Sequence, residues 1–212
     1  RRRYLFFLAL VLAFTALFST AAISGEPNFI NGMRAFNSKD YVNAAKEFIP
    51  LTEPPENHHL AANYLGLMYY VGVGVPKNHK KALILLERST DIIKDQRSHH
   101  ILGVIYEKGE VVPRNVKTAI KWFKLAAERK YQLAQLDLGA MYEDREKPLQ
   151  DLIQGHMWYA FAASNTSTYS SPQRIEAARV RLGNIEKKMS PSQIEKAISL
   201  RKECTKKDYK VC

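Results

Sequence analysis

"LGLMYY" at residues 65–70 returns as "LGVIYE" at 102–107 and as "LGAMYE" at 138–143, with offsets of 37 and 36 residues. A second track keeps the same step. Ala45, Ala82, Ala119 and Gly155 are each followed, three positions later, by Phe48, Leu85, Trp122 and Trp158. Two independent tracks that hold one period mark a repeat protein. In the first part of each unit, apolar and small residues recur at helical spacing: Ala61, Leu65, Met68 and Tyr69, then Ser98, Leu102, Ile105 and Tyr106. The second part sets a small residue before a large one, in "KALILLERS", "TAIKWFKLAAE" and "GHMWYAFAAS". Each unit therefore predicts two helices that must stack on neighbouring pairs to bury their faces. The "LG" glycine removes a side chain where a neighbouring helix has to approach closely.

Working outward, the units are residues 60–96, 97–132 and a degenerate third at 133–168, which lacks a glycine where the others have Gly72 and Gly109. Residues 28–59 predict an N-terminal hairpin of tetratricopeptide style, with a turn at Asn37–Asp40. A polar linker, "NTSTYSSP", leads to two helices expected at Pro172–Lys188 and Pro191–Lys207, within a C-terminal cap spanning residues 171–212. Ser190, Pro191 and Gln193 supply an N-cap, a proline at the first helical position and a capping-box partner. The expected fold is all-α, a solenoid of helix hairpins.

The first 24 residues stand apart. Arg1–Arg3 precede a charge-free stretch from Tyr4 to Ile23 with small residues at Ser19–Ala22, the pattern of a secretory signal peptide. An uncleaved N-terminal anchor is the alternative, because the stretch is just long enough to span a bilayer. Either way the remainder is expected to be exported and periplasmic, with anchoring in the inner membrane facing the periplasm, or secretion, as alternatives. The two cysteines, Cys204 and Cys212, then read as a disulfide that pins the tail. The net charge is +11, of which three charges sit in Arg1–Arg3, and residues 171–212 hold eleven Lys and Arg against five Asp and Glu. In a compartment free of nucleic acid, such a basic cap would meet an anionic envelope surface, or it is an ordinary solvated face.

The match between units goes further than their period. "LGxxYxxGxGVxxxxxKA" fits Leu65–Ala82, and it fits Leu102–Ala119 with Glu110-Val111-Val112 and Thr118 as the departures. This resembles the Sel-1-like repeat family, α-solenoids related to tetratricopeptide repeats. "HMWYAFAAS" followed by "RIEAARVRLGNIEKKMSPSQIEKAISL" is similar to the ending of its exported bacterial members, so the resemblance runs over about residues 32–203. It implies an adaptor that binds another protein through the concave face lined by first helices. Recognition residues would then lie where the repeats disagree: Tyr64, Ile101 and Asp137; Leu67, Val104 and Ala140; Tyr70, Glu107 and Glu143. A cysteine-rich branch of the family implies penicillin binding or β-lactamase activity. It pairs cysteines in every repeat, whereas this chain has none in any repeat.

Chemistry finds little footing elsewhere. Gly72-Val73-Gly74-Val75-Pro76 follows a predicted helix, whereas a phosphate loop leaves a strand, and no Lys-Ser/Thr pair comes after it. His58-His59 and His99-His100 are adjacent pairs, which diverge by about 100° on a helix instead of converging on a metal. No serine lies in a nucleophile motif. No cofactor, metal, catalytic residue or nucleic-acid partner is expected.

Overall fold

The computed structural model describes residues 27–144 and 151–209. The leader, the degenerate loop at Arg145–Leu149 and Cys212 lie outside the described residues. Ten helices and no strand are found among them, the all-α solenoid expected from the repeat. They are α1 (Phe29–Asn37), α2 (Tyr41–Thr52), α3 (His59–Val71), α4 (His79–Thr90), α5 (Gln96–Lys108), α6 (Val116–Ala127), α7 (Gln132–Glu143), α8 (Leu152–Ala163), α9 (Pro172–Glu186) and α10 (Pro191–Lys206). No helix among the described residues is long and apolar enough to cross a membrane.

Each repeat hairpin closes in the same way. The second helices α4, α6 and α8 start at Asn78, Asn115 and Asp151, whose side chains accept from backbone amides of the first turn. The backbone N–H of each of these caps donates 2.8 Å to the carbonyl of Tyr69, Tyr106 or Tyr142 on the first helix. This one long-range backbone bond sets the angle of the hairpin three times over. Gly72 and Gly109 end α3 and α5 at φ of 86° and 71°, the left-handed helix stop that glycine adopts without strain. The glycine-valine run is therefore a turn, and Val73 and Val75 pack under it against the first core cluster.

The "LG" glycines are contact points. Leu86, Phe123 and Tyr159 of the second helices lie where a Cβ on Gly66, Gly103 or Gly139 would have to go. The large residue seated on the glycine is the one after Leu85, Trp122 and Trp158. That frees those three positions for the junction between repeats, where they fare differently: Trp158 is fully buried and Trp122 only partly.

Three apolar clusters run along the stack, and α8 is the most enclosed element, with eight consecutive buried residues from Gly155 to Ala162. It packs against α7 and α9 and is also crossed by α10. A helix that is apolar all round needs such a surround. The two C-terminal helices thus share one partner, with α9 standing where a further first helix would stand.

Candidate interaction surface

Successive first helices place the three rows of variable residues on α3, α5 and α7, and the rows fare differently. In the first, the half-buried ring of Tyr64 packs 5.1 Å from Phe36 and 6.0 Å from Phe48, under the guanidinium of Arg97 at 5.8 Å. It cements the N-terminal hairpin to the first repeat. Ile101 is half-buried in the cluster of Leu67, Leu83 and Leu102. Asp137 is half-buried and accepts from His100 Nε2 at 2.7 Å.

The middle row is the most enclosed, with Leu67 buried and Val104 and Ala140 half-buried. Leu67 and Val104 pack into clusters that run from one repeat to the next. In the outer row, Tyr70, Glu107 and Glu143 are all half-buried. Glu143 is already engaged, because its carboxylate accepts from Lys188 Nζ at 2.6 Å and from the Tyr159 hydroxyl at 2.9 Å. Burial pushes this carboxyl up, but the two donors outweigh it and hold it below the ordinary range.

Tyr70 is the centre of what remains. Its ring stacks 4.9 Å from His79, and His79 Nδ1 meets Glu110 at 3.2 Å. Burial raises its phenol above the ordinary value, and the nearby carboxylates Glu110 and Asp137 add to the rise. Glu110, in the loop after α5, reaches this ring through His79, and the charge of Asp137 on α7 is near enough to add to the effect. The result is an aromatic-acidic surface of Tyr70, Glu110 and Asp137 backed by two histidines.

The histidine partners were not evident in the sequence. His79–Glu110, His100–Asp137 and His156–Glu186 link the first repeat to the second, the second to the third and the third to the cap. Their separations of 31, 37 and 30 residues, each about one period, are the signal that could have found them. Among the described residues, no three His, Cys, Asp or Glu side chains gather as a metal site would need. Cys204 is fully buried in α10 against the last core cluster.

The Sel1 repeat model matches residues 59–91, 96–131 and 132–167. Among solved structures, a Sel1 repeat protein from Oxalobacter formigenes is similar at 26% identity and a TM-score of 0.58, over 74% of this chain and 60% of that one. A protective antigen present in uropathogenic Escherichia coli strains, displaying an SLR fold, is similar at 28% identity and a TM-score of 0.56, over 73% of this chain. The chain spans 60% and 34% of the lengths of these two proteins.

Proposed function

Because the chain belongs to the Sel1 repeat family, whose members generally bind other proteins, we propose that it is an exported, periplasmic scaffold. It holds a protein partner on the face formed by α3, α5 and α7 and performs no chemistry of its own. The observation that carries this reading is the half-exposed ring of Tyr70 stacked on His79, which meets Glu110 of the next repeat, with the carboxylate of Asp137 nearby. A rigid aromatic flanked by carboxylates suits an extended or helical segment bearing Lys or Arg. Export is supported by the charge-free stretch behind Arg1–Arg3, and it would let Cys204 and Cys212 join as a disulfide in an oxidising compartment.

The test is affinity capture from an envelope fraction with covalent cross-linking, comparing the parent with Tyr70→Ala plus Asp137→Asn. A specific partner that cross-links to α3 or α7 and is lost in the variant, with helicity kept, is the expected result. A partner list untouched by the double change would count against this face. Tyr64 is left intact, since its ring belongs to the aromatic packing of the N-terminal hairpin. Intact mass before and after reduction tests the tail, with a gain of two hydrogens expected for the disulfide.

A second reading rests on the exposed cations of the cap, among them Arg179, Lys187, Lys196, Lys202, Lys206 and Lys207. They suit contact with an anionic envelope surface. Co-sedimentation with anionic vesicles should then fall steeply as salt rises, and binding indifferent to salt excludes it.

A further inference from the structure

Crevices between successive second helices recur with the repeat, and of the last two the described residues fill only the later. At the later crevice α10 is seated. Arg201 donates to Ser164 Oγ at 2.7 Å, and its guanidinium lies 5.4 Å from the Phe161 ring. The Tyr209 ring packs 4.8 Å from Phe161, beneath the ammonium of Lys130 at 6.0 Å. Leu200 and Cys204 join the same apolar cluster as Trp158 and Phe161.

Moving back 36 residues from Trp158, Phe161, Ser164, Lys130 and Gln135 gives Trp122, Leu125, Glu128, Lys94 and His99. All five line one open cleft of about 510 Å³ between α4, α5 and α6. The indole of Trp122 is partly exposed there and stacks 5.6 Å from the ring of His99. In the filled crevice Gln135 Oε1 accepts from Asn165 at 2.7 Å. At the equivalent place His99, only 4% exposed, has a buried Nδ1 with no hydrogen-bond partner among the described residues. The cleft is thus an unfilled copy of a helix seat.

Its charge differs from that of the filled copy. Met157 and Asn165 are replaced at the equivalent positions by Lys121 and Arg129, which line the cleft with Lys94, while Asp91 and Glu128 stand on the same rim. The imidazole of His99 is pushed down to about 4, first by burial and then by Arg129 and Lys94, with Asp95 opposing. A basic helix like α10, which exposes Lys202, Lys206 and Lys207, would bring cations against cations here.

We propose that this cleft is a second docking site, for an amphipathic helix of a partner protein. That helix places an apolar or aromatic anchor on Trp122 and Leu125 and carboxylates beside Lys94, Lys121 and Arg129. The site is separate from the Tyr70 patch and does not depend on it.

The test uses the full chain and a synthetic peptide of residues 190–209 with Cys204→Ala and its four lysines changed to glutamate. A matched peptide retains the lysines. Of the two tryptophans in the chain, Trp158 is fully buried, so a change in emission on titration reports Trp122. The expected result is saturable binding of the acidic peptide that is blind to Tyr70→Ala. By calorimetry it should weaken about tenfold or more in Trp122→Ala and in Lys121→Glu. Lys121 is exposed, so its substitution leaves the core intact. Failure of the acidic peptide to bind, equal binding of the lysine peptide, or full affinity in Lys121→Glu overturns the proposal. So does self-association in sedimentation that Trp122→Ala abolishes, since the cleft would then belong to a second copy.

Discussion

His99 shows how a single side chain couples packing to pH. It is neutral in the folded chain, its pKa lowered to about 4 by burial and by the cations Arg129 and Lys94. Unfolding releases it to an ordinary histidine near 6.5. Between those two values the unfolded state binds the extra proton, so its contribution is complete above about pH 6.5 and is lost as the pH falls toward 4. The whole effect is bounded at about 3 kcal/mol. His99→Gln, the residue found at the equivalent position Gln135, should therefore flatten the fall in melting temperature between pH 6.5 and 4. An unchanged slope would mean that the imidazole takes its proton without unfolding. Gly103 makes the steric counterpart, because Phe123 occupies the space a Cβ would need. Gly103→Ala should destabilise by about 1–3 kcal/mol. That is several degrees in the midpoint of thermal unfolding for a chain of this size.

At the scale of the helix, α10 is the element whose role was least legible beforehand. Its existence and start were readable from Ser190-Pro191-Ser192-Gln193, and the structure has the complete capping box there. Its destination was not, because a solvated basic face says nothing of which distant helix lies under the other side. The same holds for α8, whose sequence is apolar on every side and so gives no direction. The repeat hairpins were readable because glycine, tyrosine and small-large pairs recur at fixed spacing within each unit. The half-exposed patch was only partly so: the period located Tyr70 and Asp137, whereas the pairing of His79 with Glu110 crosses between units. Seating of α10 is tested by Ala197→Glu, which forces a charge into a fully buried position of that helix. A loss of about 2–4 kcal/mol is expected. Emission should shift to longer wavelength as Trp158 meets water, and an unshifted spectrum would show that α10 does not shield it.

For the whole molecule, stability follows from who has neighbours. α1 and α2 meet the stack mainly through α3, with one bond from Arg88 of α4 to the Thr52 carbonyl, whereas α8 is held by α7, α9 and α10. In a stack of nearest-neighbour contacts, opening should be easiest at the less supported end. Amide exchange followed by mass spectrometry is expected to show protection rising from α1–α2 to α7–α8, and uniform protection would indicate one global unit instead. The seat of Leu86, Phe123 or Tyr159 on its glycine has a further consequence for how such a chain changes over generations. Both halves of that contact lie in the same hairpin, 20 residues apart. The bond from each second-helix cap to its tyrosine carbonyl is likewise internal. A duplication or deletion of one period therefore moves a complete lock and leaves no orphaned half behind. Copy number can drift by whole hairpins while the geometry of each survives. The pairs that cross between hairpins, His100–Asp137 among them, must be renegotiated at every such event, and those are the positions where one lineage can acquire a partner that another lacks.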